Sequence, residues 1–172
     1  MPNIEIERKF LVLNEDYKQL ATSKYTIIQG YICKDAGRTV RVRIRTNDDG
    51  SSVAFLTIKS KPNAMGFSRF EWEKEIDPSD AKQLIHLCFP GVIEKTRWLI
   101  PANPPSPIAN NQSPIATPPS PHLTWEVDEF HGRLAGLVIA ELELESEDQA
   151  FEKLSFVGEE VTGNPRYYNA NM

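Results

Sequence analysis

Residues 41–45, Arg-Val-Arg-Ile-Arg, set three permanent cations on one face of an alternating segment, with Val42 and Ile44 on the other. In a strand such neighbours stand about 7 Å apart. At an effective dielectric near 20, each pair repels by roughly 2 kcal/mol. Further cations keep the same alternation elsewhere: Lys9, Lys59, Arg69, Lys95 and Arg97. Acidic rows mirror them at Glu5/Glu7, Glu71/Glu73, Glu126/Asp128 and Glu141/Glu143. Any one row reads equally as the solvated face of a half-buried strand. Their repetition along the chain is what suggests that they meet. Arginine and lysine answer a polyanion, bidentately where guanidinium is used. Carboxylates clustered apart from them answer hard divalent cations. Together they describe a site for a metal-bound oligophosphate, with basic residues holding the remaining charge and water attacking in line.

Other chemistries find no support. His86, His122 and His131 lie at no metal-ligand spacing, which disfavours zinc. The chain has no GxxxxGK[ST] loop, no GxSxG elbow and no Cys/His constellation. Its two cysteines, Cys33 and Cys88, exclude a disulfide-dense scaffold. A net charge of −5 argues against a general nucleic-acid binder. No apolar run approaches the length of a membrane helix, and the first ten residues carry charges where a signal peptide needs hydrocarbon. The expectation is a soluble cytoplasmic protein.

The elements that must position these rows are mostly strands. Period-two alternation runs through 4–12, 25–32, 39–46, 52–60, 68–77, 92–100, 123–130 and 137–146, with Asn-Asp-Asp-Gly at 47–50 as a hairpin turn and another turn near 62–66. Gly30 is a possible bend. Asn14 is positioned to cap a short helix through Tyr17, Leu20 and Ala21. Asp77-Pro78-Ser79-Asp80 opens a second through Ala81, Leu84 and Ile85. Ser146 with Gln149 makes a capping-box pattern for a third through Phe151 and Leu154. The last fifteen residues read as irregular or weakly helical. Trp72, Trp98 and Trp125 fall on apolar faces and read as core. The fold class is α+β, a closed eight-stranded antiparallel β-barrel with a charged interior and helices packed outside. Such a barrel inverts the usual small one, whose lumen is filled with side chains. Its 172 residues suit a single domain. Residues 101–121 hold eight of the 13 prolines and no charge, so they cannot build a core and read as a loop insertion within that domain.

The segment Glu5-Ile-Glu7-Arg8-Lys9 resembles the N-terminal E-x-E-x-K signature of the CYTH superfamily, the triphosphate tunnel metalloenzymes. The similarity continues through QGY (29–31), VRIR (42–45), LTIKS (56–60), SRFEWE (68–73), EKTR (94–97), WEVD (125–128), AELELES (140–146) and GEEVTGNPRYYN (158–169). It spans nearly everything except 101–121, and the ordered set is far more specific than the first motif alone. The resemblance implies an eight-stranded tunnel that binds a triphosphate with Mg²⁺ or Mn²⁺, and, for a compact bacterial member, hydrolysis of inorganic tripolyphosphate. It implies that Glu5, Glu7, Glu141 and Glu143 ligate metal, and that Glu126 and Asp128 complete the metal shell or position the attacking water. Lys9, Arg43, Arg45, Lys59, Lys95 and Arg97 would grip phosphate, with Glu7, Glu126, Asp128 and Lys59 closest to the chemistry. Arg41 extends the basic row, Arg69 lines the same tunnel, and Tyr31 reads either as a donor to a terminal phosphate or as a core tyrosine. Glu75 and Glu145 read as rim charges. The alternatives on the same tunnel are a class IV-type adenylyl cyclase, a thiamine triphosphatase or a polyphosphate-binding module without turnover. The expected partner is a small polyphosphate or a nucleoside or thiamine triphosphate, not nucleic acid or a membrane.

Overall fold

The computed structural model describes residues 4–35, 37–63, 68–102 and 123–172. Most of the proline-rich segment, and most of the turn near 62–66, lie outside the described residues. The elements run β1 (Ile4–Val12), α1 (Tyr17–Leu20), β2 (Ser23–Asp35), β3 (Arg38–Asn47), β4 (Ser52–Ser60), β5 (Ser68–Ile76), α2 (Pro78–Ile85), β6 (Ile93–Pro101), β7 (Thr124–Phe130), β8 (Val138–Glu143) and β9 (Val157–Glu160). Short 3₁₀ turns at Gly132–Leu134, Pro165–Tyr167 and Asn169–Asn171 complete them.

Every pairing is antiparallel, in the order β5-β4-β3-β2-β6-β7-β8-β1. β1 closes the barrel because its two halves serve different neighbours. Its first residues pair with β5 (Glu5 opposite Arg69), and the rest pairs with β8 (Glu7 opposite Glu143, Lys9 opposite Glu141). The ninth strand, which the alternation did not announce, adds to β1 beyond the closure, with Phe10 opposite Glu160. The β3–β4 hairpin turns where expected. Gly50 takes φ +82°, which an L side chain resists, and its N–H bonds to the Asn47 carbonyl at 3.0 Å.

With charges turned inward, the hydrocarbon core lies outside the barrel. Phe10, Tyr17, Trp125, Val127, Leu142 and Phe156 form its main part, packed beneath α1 and the chain leading to β9. α2 starts as its residues dictate, with the Asp77 carboxylate accepting from Ser79 N–H at 2.7 Å and Pro78 in the first turn. It lays Ala81, Leu84 and Ile85 over Val42, Ile44 and Ala54. Gly30 is no bend. A β-carbon there would meet Cys88 Sγ at 2.7 Å, so the glycine lets the chain after α2 lie directly on β2. The irregularity in β2 comes just afterwards, between Tyr31 and Cys33.

Three expectations need correction. No helix forms after Ser146. The Gln149 carboxamide instead accepts from Glu145 N–H at 2.6 Å, and extended chain lets Phe151 reach Phe10 and Trp125 while Phe156 packs separately on Trp125. α1 begins at Tyr17 with Asp16, not Asn14, at its N-cap position; the Asn14 Oδ1 accepts from Asp16 N–H at 2.9 Å. The helices cover only part of the outer face. Ile4 and Phe70, paired across β1 and β5, and Ile58 and Trp72, paired across β4 and β5, remain exposed.

Candidate active site

The inward faces enclose a cavity of about 830 Å³ whose lining mixes both signs of charge. Acids come from three consecutive strands: Glu126 and Asp128 on β7, Glu141 and Glu143 on β8, Glu5 and Glu7 on β1. Cations come from the strands across the lumen: Lys95 and Arg97 on β6, Arg41 and Arg43 on β3, Lys59 on β4. β5 joins the arcs with Arg69, Glu71 and Glu73. Alternation along each strand, together with the register, brings them to one place.

Most of these charges neutralise one another. Arg97 donates to Asp128 from Nε and Nη2, both at 2.7 Å, to Glu141 at 2.8 Å, and also pairs with Glu126. Lys95, fully buried, pairs with Asp128 and lies 5.3 Å from the centre of the Phe130 ring. Lys9 pairs with Glu141 and, at 2.7 Å, with Glu7. Lys59 reaches Glu5 at 2.6 Å and Glu71 at 2.7 Å, and Arg69 donates to Glu5 at 2.8 Å. Arg41 donates to Thr57 Oγ1 at 3.2 Å and faces Glu73 at 3.6 Å.

Protonation follows this pairing. Burial alone would raise the Glu5 carboxyl, but Lys59 and Arg69 outweigh it and hold it well below the usual range. Burial would likewise lower the Lys9 ammonium, yet Glu141 and Glu7 keep it firmly charged. Burial, reinforced by Arg97 and Arg43, wins at Lys95 and brings it down to about 8 against the pull of Asp128.

Two groups escape neutralisation. Arg43 makes no ion pair among the described residues; its Nε is buried without a partner, and burial beside Arg41 and Arg97 lowers its pKa to about 10. Glu143 makes no ion pair among the described residues; though exposed at the cavity wall, it is pushed up to about 7 by partial loss of hydration and by the nearby Glu5, Glu126, Glu71 and Glu7. A cation without an acid and an acid without a cation, in one cavity, are the two places where a negative and a positive ligand would be held.

The structure brings together Glu5, Glu7, Lys9, Tyr31, Arg41, Arg43, Lys59, Arg69, Arg97, Glu126, Glu141 and Glu143 around the cavity. Lys95 and Asp128 sit behind that lining, wholly buried. Arg45 stands apart. Its guanidinium lies over the Tyr25 ring at 4.3 Å and Nε donates to Asn47. Trp125 is core as expected, Trp98 packs edge-on against Tyr17, and Trp72 is part of the exposed outer patch. Glu75 and Glu145 are exposed. Sequence reasoning missed Lys34, Arg38 and Lys61 at one mouth and the tail residues Tyr168–Asn171, which fold back over it. The tail packs Tyr167, Ala170 and Met172 against Tyr31, Ile93, Phe130 and Ile139, a contact that no local pattern encodes. It also missed Gln29.

Among the described residues no three carboxylates stand ready to hold an ion, because most are engaged by lysine or arginine. The donor set nevertheless fits a hard divalent cation. It is all carboxylate oxygen, and Glu143 with its acidic neighbours is where positive charge is lacking.

A family model described as CYTH domain matches residues 3–170. An inorganic triphosphatase of Acetivibrio thermocellus is 41% identical over 169 residues, covering 98% of this chain and 92% of that one. One of Nitrosomonas europaea is 32% identical over 167 residues, covering 96% and 93%. A solved structure of an inorganic triphosphatase superposes with TM-score 0.56 at 29% identity, covering 97% of this chain and 92% of that one.

Proposed function

Because the chain belongs to the CYTH domain family, we propose that it hydrolyses inorganic tripolyphosphate to pyrophosphate and orthophosphate in its tunnel, with Mg²⁺ or Mn²⁺ as the required divalent cation. The observation that carries this reading is Arg43, a half-buried guanidinium with its Nε buried and no acid partner among the described residues, facing an acidic arc across a cavity of about 830 Å³. A fixed cation held partly out of water needs an anion to complete it.

The residues divide the work. Arg43, Arg41, Lys59, Lys9, Arg97 and Arg69 bind the non-bridging phosphate oxygens and hold the chain of three phosphates straight across the lumen, which fixes the line of attack. Arg43 and Arg41 stand in the cavity wall before the substrate arrives, so for these two stabilising the charge that spreads over the transferring phosphoryl group requires little rearrangement. Lys59 and Arg97 each pair with acids that a divalent cation would also seek, which ties metal binding to release of cations toward phosphate. Asp128, with both oxygens engaged, holds Lys95 and Arg97 in place. Glu143, Glu7, Glu5, Glu126 and Glu141 would hold the metal. When bound, such an ion neutralises phosphate charge and acidifies water. Glu7 and Glu126, at the acidic face, orient the attacking water and accept its proton. Tyr31, buried at the tail end of the cavity, donates to a terminal phosphate.

With Cys33 and Cys88 as free thiols, a reducing cytoplasmic setting suits the chain.

The test is phosphate release from tripolyphosphate with Mg²⁺ or Mn²⁺, run beside ATP and thiamine triphosphate. Rapid release from tripolyphosphate alone is expected. Cyclic AMP from ATP would turn the reading to a cyclase, and tight tripolyphosphate binding without turnover in either metal would leave only a binding module.

A further inference from the structure

β2 runs through the middle of the basic arc, between β6 and β3, yet from Tyr25 to Tyr31 it carries no charge; its Lys34 and Asp35 reach only the cavity mouth. Its inward residues are Tyr25, Ile27, Gln29 and Tyr31, the faces that oppose Arg45, Arg43 and Arg41 on β3 and Arg97 and Lys95 on β6. Gln29 is a carboxamide in the middle of that arc. Its direct neighbours are Arg43 on one side and Ile93 on the other. It has no exposed surface, and neither Oε1 nor Nε2 has a hydrogen-bond partner. The Nε atoms of Arg41 and Arg43 are in the same condition. Buried amides are nearly always paired, because leaving one unmade forfeits its hydration with no return. Here a donor-acceptor group on β2 and two donors on the adjoining β3 are left unmade, with Gln29 directly behind the cavity wall that Arg41 and Arg43 line. A core position of that size would accept methionine or leucine without the penalty, so packing gives no reason for glutamine.

We propose that Gln29 is a substrate-positioning residue of the tunnel. Its Oε1 accepts a guanidinium N–H of Arg43 and so aims Arg43 at the non-bridging oxygens of the bound triphosphate. The amide does this without adding charge. That matters on a strand flanked by cations on both sides, where a further lysine or arginine would repel its neighbours. This inference rests on the triphosphate reading of the tunnel.

The test compares the full-length wild type with Gln29→Met and Gln29→Glu. Thermal melting is measured alone and with tripolyphosphate, and KM and kcat are measured with Mg²⁺. Gln29→Met should melt at or above the wild-type temperature without ligand, because an unpaired amide has gone. Its KM should rise about tenfold, the value of one hydrogen bond to a charged group, with kcat within about twofold. The tripolyphosphate-induced rise in melting temperature should shrink. Gln29→Glu has the same shape and carries the test if the methionine variant does not fold. It should raise KM further, since its carboxylate pairs with Arg43 and repels phosphate. A Gln29→Met protein with wild-type KM and ligand shift, or one that melts earlier while KM is unchanged, overturns the proposal. A wild type that neither hydrolyses tripolyphosphate nor is stabilised by it overturns the triphosphate reading itself, which is a separate result.

Discussion

Arg97 and Asp128, opposite one another on β6 and β7, are joined inside the lumen by two hydrogen bonds of 2.7 Å, from Nε to Oδ1 and from Nη2 to Oδ2. The carboxylate is wholly buried and also holds Lys95. Burial would raise its pKa, but Arg97 and Lys95 outweigh that and keep it charged. Removing the acid strands two buried cations, and breaking a pair of this kind costs about 3–5 kcal/mol. Asp128→Ala is therefore expected to lower the denaturant midpoint sharply and to abolish hydrolysis, as Lys95 and Arg97 lose their anchor. Unchanged chemical denaturation would refute the structural role assigned to Asp128.

Arg43 presents the opposite case. It is half-buried and, among the described residues, unpaired, so the ligand-free protein bears the cost of holding it and the substrate removes that cost. Arg43→Ala should weaken tripolyphosphate binding, raising KM more than it lowers kcat, while leaving the ligand-free protein at least as stable as wild type. Steady-state kinetics and thermal melting on the same preparation check both halves. A loss of stability without a change in KM would mean that Arg43 is part of the scaffold.

Metal binding should depend most on the acids that no cation satisfies. Glu143 is raised to about 7 by partial loss of hydration and like-charge neighbours, so at pH 8 its charge strains the metal-free protein. Glu143→Gln should raise the metal-free melting temperature at pH 8 and reduce the further rise on adding Mg²⁺. Glu7→Gln should eliminate metal-dependent hydrolysis with the fold intact, since among the described residues Glu7 pairs only with Lys9, which Glu141 also holds. Wild-type rates in the Glu7→Gln protein would remove the metal assignment.

The barrel itself was legible because its alternation is nearly unbroken. Eight period-two segments became the eight strands that close, and charge on one face of all but the segment 25–32 became the lumen. What alternation conveys is the face on which a residue lies, and little about its partner there. Arg45 shares a face with Arg41 and Arg43 but stacks on Tyr25, because that ring stands on the adjoining β2, two residues from Ile27, which lies opposite Arg45. Gln29 carries no charge, so a search for rows of charge passed over it. The failed helix after Ser146 shows the other limit. A capping-box pattern states a local preference, and the hydrophobic contacts of Phe151 and Phe156 with Trp125 prevailed over it. β9 was hidden for the same reason: it is four residues long, and tertiary pairing with β1 rather than its own composition makes it a strand.

That short strand has its own signature in pH. Arg8 on β1 donates to Glu160 on β9 from Nε at 2.6 Å and from Nη2 at 2.8 Å. The hydrogen bond from Arg8 holds the Glu160 carboxyl below its ordinary value. A carboxyl depressed in the folded state contributes stability that is fully present above its unfolded pKa and is lost as pH falls through the folded one. Glu160→Gln should therefore destabilise by about 1 kcal/mol or less at pH 7, given a partly exposed pair. The difference from wild type should fade in the acid range below the ordinary glutamate pKa. Urea titrations of both proteins at neutral and acid pH measure it, and an equal difference at both pH values would show that charge is not what fastens β9.

Gly30 and Cys88 test the packing of the outer layer. A β-carbon on residue 30 would stand 2.7 Å from Cys88 Sγ and 2.8 Å from its Cβ, closer than real β-carbon contacts come. The neighbour is not free to swing away, because Cys88 follows α2 and its thiol already donates to the Leu84 carbonyl at 3.4 Å. Gly30→Ala should push the end of α2 off β2 and cost about 1–3 kcal/mol, the usual range for overpacking. Cys88→Ala in the same chain removes the sulfur but leaves the Cβ, so it should restore part of the loss and not all of it. Residue 30 faces outward, away from Gln29 and Tyr31 on the lumen side, so KM for tripolyphosphate should hold near wild type at temperatures where Gly30→Ala stays folded. A large rise in KM without a change in stability would mean that the glycine serves the tunnel and not the helix.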